Sequence, residues 1–260
     1  MKKALKDLFA SAAAIGLLVM AGSVVAADYW LATDAGCTVW SDQPLGAGEN
    51  AFWSGGCQDG KVTGTGELSV TRGGKPVVRF TGTMLGGKAS GKGSMEVVTD
   101  AGAVRYEGGF KDSMLEGYGV LSLANGDRYE GGFHQDKPDG FGLYQGADGL
   151  YQGDIKDGKP HGEGFEKLPG GEQYSGWFYQ GERHGPGTLL LTSGEIYEGG
   201  FVDDVAQGKA KFTSAEGDVY AGTWRWGKAD GSFVVTKADG STELQQWRAD
   251  QRVDQGGVAR

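Results

Sequence analysis

Three histidines, two cysteines, a scatter of carboxylates and a few tryptophans are the residues of this chain that could do chemistry. His161 and His184 are the most suggestive of a metal centre. Each stands ten residues after a tyrosine, Tyr151 or Tyr174, and directly before a glycine, with His134 as the third histidine. Acidic residues crowd several apparent turns, among them Asp112, Asp136, Asp139, Asp154, Asp157, Asp203 and Asp204. Calcium needs six to eight oxygens from a compact loop, and Asp154-Ile155-Lys156-Asp157-Gly158 lacks EF-hand spacing, so solvated turn charges are the better reading. Serine with histidine and aspartate would suggest hydrolysis, but no G-x-S-x-G elbow is present. Gly64-Thr65-Gly66 and Gly162-Glu163-Gly164 lack the following helix that makes a phosphate loop. No catalytic residue, metal ligand or cofactor site is assigned, and the chain is expected not to be an enzyme.

Cys37 and Cys57 are the only cysteines. In an oxidising compartment an isolated pair usually forms one disulfide; two free thiols are the other reading. A metal site is least favoured, because two thiolates with no nearby histidine leave the coordination incomplete. The N-terminus supports export. Lys2, Lys3 and Lys6 precede an apolar run from Leu8 to Ala21, and Val25-Ala26-Ala27 is a small-residue cleavage site. Residues 1–27 are therefore expected to be a signal peptide, cut after Ala26 or Ala27. A retained anchor is the rival, since Leu8–Ala27 is just long enough to span a bilayer. Formal charge is −9, and removing a leader with three lysines and Asp7 makes it about −11. So acidic a chain is not expected to bind nucleic acid or anionic lipid through long-range attraction.

The elements that must position these residues come from a repeat. Tyrosines recur at Tyr106, Tyr129, Tyr151, Tyr174, Tyr197 and Tyr220, spaced by 23, 22, 23, 23 and 23 residues. A glycine follows at two, eleven and twenty places, as in Gly131, Gly140 and Gly149 after Tyr129. A large apolar residue follows at four: Phe110, Phe133, Ile155, Phe178, Phe201 and Trp224. Two looser units start at Trp53 and Phe80, giving about eight over residues 51–241.

Side chains alternate along a strand, so places zero, two and four share a face, with rings closing over glycine. Glu107, Glu130, Gln152, Ser175 and Glu198 take the other, wet face. A turn is read at Lys137-Pro138-Asp139-Gly140 or Lys159-Pro160-His161-Gly162, then a second strand, then a tight turn such as Asn125-Gly126. Each unit is a hairpin that is marginal alone and stable when stacked. The predicted fold is all-β: an elongated antiparallel meander of about eight hairpins in a single-layer twisted sheet. Its core is expected at Trp53, Phe80, Tyr106, Phe110, Tyr129, Phe133, Tyr151, Tyr174, Phe178, Tyr197, Phe201, Tyr220 and Trp224. Equivalent places in neighbouring hairpins lie two strands apart, roughly 10 Å, too far for His161 and His184 to share one zinc.

The run Tyr106-Glu107-Gly108-Gly109-Phe110, then Gly117-Tyr118-Gly119 and Asn125-Gly126, resembles a MORN repeat. Tyr129-Glu130-Gly131-Gly132-Phe133 and Tyr197-Glu198-Gly199-Gly200-Phe201 restate it. The resemblance implies a scaffold, a self-association surface or a protein-binding groove, with lipid binding proposed for some members. Cys37-Thr38-Val39-Trp40 through Trp53-Ser54-Gly55-Gly56-Cys57 resembles the opening of exported bacterial MORN proteins. By that resemblance the cysteines are paired. Cys57 would take the place of the buried Phe and staple residues 28–50 over the open first edge as a cap. Residues 242–260 are read as a closing strand near Leu244–Trp247 and a loose polar tail from Ala249. MORN enzymes carry a separate catalytic domain, and no stretch here corresponds to one.

Trp177 and Trp226 fall at the parity opposite to the buried rings and are expected on the outer face. Exposed rings can anchor a protein partner or stack on sugars. The leading functional expectation is a non-catalytic scaffold of the bacterial envelope, periplasmic or secreted, that binds protein partners or itself. A glycan- or peptidoglycan-binding module using Trp177 and Trp226 is the first alternative, and a lipid-associated protein the second.

Overall fold

The computed structural model describes residues 29–253; the expected leader and residues 254–260 lie outside that range. Among the described residues every regular element is a strand, so the predicted all-β hairpin meander is the fold. The chain divides into two compact units. One comprises the residues up to Ala147 with Ile155–Gly158, the other Asp148–Asp154 with the residues from Lys159.

Unit 1 opens with a cap. β1 (Tyr29–Ala32) pairs antiparallel with β2 (Thr38–Ser41), and β3 (Glu49–Trp53) and β4 (Gly56–Gln58) both pair with β5 (Lys61–Arg72). The meander continues through β6 (Lys75–Leu85), β7 (Lys88–Thr99), β8 (Gly102–Lys111), β9 (Met114–Ser122), β10 (Arg128–His134) and β11 (Lys137–Gly146). Next comes β12 (Gly149–Lys156), whose last two residues belong to unit 1 and the rest to unit 2. Unit 2 runs through β13 (Lys159–Lys167), β14 (Gln173–Tyr179), β15 (Glu182–Leu190), β16 (Ile196–Val202), β17 (Val205–Thr213) and β18 (Val219–Arg225). It ends with β19 (Lys228–Ala229), β20 (Gly231–Thr236), β21 (Thr242–Arg248) and β22 (Gln251–Arg252). The part of the expected tail that is described continues the meander: Ala249 and Asp250 form a turn and β22 pairs back onto Trp247 and Arg248, while residues 254–260 lie outside the described range.

The repeat core is an aromatic ladder. Tyr106 packs edge-on against Phe110 and Phe133, and Tyr174 against Phe178 and Phe201, with centroids 5.1–5.2 Å apart. Each such pair adds ~0.5–1.5 kcal/mol beyond burial. A Cβ on Gly119 or Gly187 would sit inside the Tyr106 or Tyr174 ring, so these glycines let the rings lie flat on the sheet. The tyrosine hydroxyls donate to the carbonyl three places on, Tyr106 to Gly109 and Tyr174 to Trp177, both at 3.0 Å. Burial pushes these phenols above their ordinary pKa, to about 12 for Tyr174, so they remain donors. All the expected core rings are buried except Tyr220, which is half-buried.

Both turns read from the Lys-Pro runs fall elsewhere than the sequence suggests: Lys159-Pro160-His161-Gly162 opens β13, after a reversal at Asp157-Gly158. Lys137-Pro138-Asp139-Gly140 opens β11 instead of linking two strands. The reversal is made by Gln135-Asp136, both with positive φ (47° and 67°), as in a type I′ hairpin. Asp112-Ser113 and Asp203-Asp204 do the same. Gly140 (φ 92°) instead serves a β-bulge, where Gly131 faces Gly142 but Phe133 faces Pro138. Places two and four share the core face by strand parity, and the bulge lets the partner strand take up two extra residues between them.

Candidate functional site

The turn carboxylates have a structural task. In the I′ turns the second residue reaches back to the preceding hairpin. Asp136 accepts the Leu115 amide at 2.7 Å while its own amide donates to Leu115 O, and Asp204 does the same with Arg183. Ser113 and Asp250 repeat the contact at Ala89 and Ala229. The acidic turns therefore form a side-chain ladder that locks hairpin to hairpin. The histidines border this ladder. His134 lies 3.2 Å from Glu116 and His184 3.4 Å from Asp203, while the His161 and His184 rings flank Tyr179 with centroids 5.4 and 5.8 Å away. Among the described residues no group of three or more His, Cys, Asp or Glu is placed to hold one metal ion.

The disulfide joins Cys37 to Cys57. Cys57 pairs with Val62 in the register that Phe133 has with Pro138, so it does occupy the Phe place. It is nonetheless exposed, and Cys37 is the buried partner. The reason is that, among the described residues, β4 pairs with β5 alone, so its other side is an open edge. The cap also does more than close an edge. Thr33 bridges to Ala51 there, after which Thr38 and Trp40 donate their amides to Gly60 and Gly87, across the turns of the first two hairpins. Lys61 lies over the Trp30 ring and Lys88 over Trp40. Asp42, next along, has one carboxylate oxygen buried without a partner, and burial, reinforced by Asp136, raises its pKa to about 7.

Trp177 and Trp226 are both exposed, but for different reasons. Trp177 stands on the outer face of β14, 49% exposed, beside Gly185. Trp226 is not in a strand: it is the first residue of the I′ turn after β18, with φ 54° and 80% exposure. Strand parity therefore does not explain its position. The structure does not bring these two tryptophans into one site.

Unit 2 carries a different aromatic cluster, built by a drift at the thirteenth place after each tyrosine. That place is Gly164 and Gly187 in the first two hairpins, then Ala210, then Phe233. Tyr174, over Gly187, is fully buried; Tyr197, whose thirteenth place is Ala210, is 5% exposed; Tyr220 is half-buried. Over Gly222 it is the Phe233 ring that occupies the space a tyrosine fills elsewhere. The Thr223 carbonyl, which would receive the Tyr220 hydroxyl, accepts the Asp230 amide instead. Tyr220 is displaced toward Phe212 and Trp247, with centroids 6.1 and 6.3 Å away. These looser spacings open a groove of about 430 Å³. Trp224 and Phe233 form its floor, Phe212, Tyr220 and Trp247 its walls, and Glu195 and Asp250 its charged lining. The recurring glycines point to closed rings. The departure from them at Ala210 and Phe233 was the sequence signal for this groove.

Unit 2 also holds a buried ionic cluster. Arg183 contacts Glu166 at 2.9 Å and Glu172 at 2.8 Å and lies over the Tyr174 ring. Burial alone would lower the guanidinium pKa; the two carboxylates more than offset this and raise it.

Comparison with known proteins bears on this architecture. The MORN repeat model matches six consecutive segments, residues 106–128, 129–150, 151–173, 174–196, 197–219 and 220–242. Among curated proteins no sequence match is found. A similar solved structure is the SAS-4 (dCPAP) TCP domain of Drosophila melanogaster in complex with a proline-rich motif of Ana2 (dSTIL). It is 14% identical, covers 59% of this chain and 84% of that chain, and has a TM-score of 0.38. With six contiguous repeats matched over more than half its length, this chain belongs to the MORN-repeat family.

Proposed function

We propose that this chain is a non-catalytic, exported interaction module, a scaffold whose unit 2 seats protein partners in the Phe212–Tyr220–Trp247 groove. The observation that carries the reading is the groove itself. Tyr106, Tyr129, Tyr151 and Tyr174 lie flat against glycine, whereas here the rings turn toward water beside carboxylates. Large aromatic rings in a concave site are the usual anchors of protein interfaces. Two observations support export: the Cys37–Cys57 disulfide, and the leader-like sequence of residues 1–27. A photo-crosslinking amino acid at Phe212, used in intact cells, tests the function. Defined protein adducts at 212, lost when Tyr220 is changed to alanine, are expected; adducts to lipid or glycan alone would overturn it. Amino-terminal sequencing of the envelope fraction tests export, with a mature start near Asp28 expected.

Trp177 favours a second reading. A half-exposed indole beside the small Gly185 gives a sugar ring a flat surface to stack on. Co-sedimentation with cell-wall material that Trp177→Ala abolishes would favour a glycan-binding role.

A further inference from the structure

We propose that the unit 2 groove accepts a lysine or arginine side chain presented by a protein partner, an inference that rests on the protein-binding reading above. Three features point to this chemistry. First, the described lining contains two carboxylates, Glu195 and Asp250, and no cationic residue. Second, the floor and walls are ring faces, whose negative quadrupole attracts a cation and whose apolar surface receives an aliphatic stem. A long side chain with a charged head matches that division: stem on Phe212, Tyr220 and Trp247, head toward the carboxylates. Third, one face of Tyr220 already attracts a cation. Lys237 lies 6.0 Å from the ring centroid, held by Asp218 at 2.8 Å. Lys237 is outside the groove lining and is engaged by those partners, so it does not neutralise Glu195 or Asp250.

The unusual residue is Phe233. Glycine at that place would let Tyr220 lie flat, as Tyr174 does over Gly187, and the groove would close. The groove is therefore written into the sequence as a single large residue where the repeat otherwise has glycine or alanine.

The test is NMR titration of the full chain, following the indole N–H signals of Trp224 and Trp247. The probes are Nα-acetyl-lysine methylamide and Nα-acetyl-arginine methylamide, with the norleucine analogue as uncharged control and phosphocholine as the headgroup control. Saturable shifts with a basic probe, and at least fivefold weaker ones with norleucine, are expected. Glu195→Gln and Phe212→Ala should each weaken the basic probe about fivefold, the range expected of one partly exposed cation–ring or charge contact. Glu195→Gln changes no core residue, so it remains informative if Phe212→Ala disturbs the fold. Equal response to norleucine, saturation by phosphocholine alone, or no response to any probe would overturn the proposal. Protein adducts at position 212 persisting in any of those cases would leave the interaction reading standing and remove only the cationic side chain.

Discussion

In unit 1 the thirteenth place of every hairpin is glycine, at Gly66, Gly93, Gly119 and Gly142, and an aromatic ring lies over each one. In unit 2 the same place runs Gly164, Gly187, Ala210 and Phe233, and the rings lift progressively. Unit 1 is further closed by its own N-terminal segment, whose Leu31, Cys37 and Val39 are buried and whose backbone crosses the first two turns. Unit 2 has instead an ionic cluster beneath Tyr174 and an open groove at Tyr220. The comparison shows how one hairpin serves two purposes. Glycine under the ring makes a structural unit; a side chain there makes a recessed aromatic surface at the cost of local packing.

The strongest way to break this contrast is to attack what each unit relies on. Glu166 and Arg183 are both largely buried, and removing one partner strands the other charge. Arg183→Leu should destabilise unit 2 by ~3–5 kcal/mol in denaturant unfolding. Adding Glu166→Leu should restore most of that, since the stranded carboxylate causes the loss. A single-variant cost below ~1 kcal/mol would show that the cluster contributes little. Replacing both Cys37 and Cys57 with serine, across a sequence separation of 20, should cost ~3 kcal/mol. That loss should appear in unit 1 only. Hydrogen exchange should quicken across residues 29–62 while Tyr174 and Tyr197 keep their protection.

A subtler change sharpens the gradient itself. Gly187→Ala places a methyl group where the Tyr174 ring now lies. Overpacking of this kind costs ~1–3 kcal/mol, and the presence of Ala210 one hairpin later argues for the lower end. Tyr174 should become more exposed, as Tyr197 already is, and a crystal structure or tyrosine solvent-accessibility measurement would report it. An unmoved ring would mean that place thirteen does not control ring height.

Much of this was legible in the chain. Tyr106, Gly108 and Phe110 recur so regularly that strand parity alone placed them on one buried face. The turns were harder. Pro138-Asp139-Gly140 has the composition of a turn, yet the reversal belongs to Gln135-Asp136, because a positive φ is set by the two-residue connection and not by composition. Trp226 is exposed as expected, but as a turn residue, in a place that Asp and Gln also fill, and not through strand parity. Cys57 kept its register but not its burial, since burial at an edge depends on what covers the edge. The groove stayed hidden because recurrence reveals the rule, whereas Phe233 matters as the exception to it.

The smallest expected effect concerns pH and lies in unit 1. Asp42 has an ordinary value near 4 in an unfolded chain, and burial with the nearby Asp136 raises it to about 7 in the folded one. Between those values the folded state holds a proton that the unfolded state has released. Stability must therefore fall as pH rises through that window and level off above about 7. Asp136, itself raised mainly by burial, acts in the same direction. Because Asp42 is partly solvated, screening should limit the loss to ~1–2 kcal/mol. Asp42→Asn keeps the shape and removes the charge, so unit 1 should show a flatter stability profile between pH 5 and 8 and gain most at pH 8. Unit 2 should respond identically in both proteins. A wild-type unit 1 that grows more stable across this window would mean that the Asp42 carboxylate is well solvated or paired in solution, and that the cap does not press it against the turns.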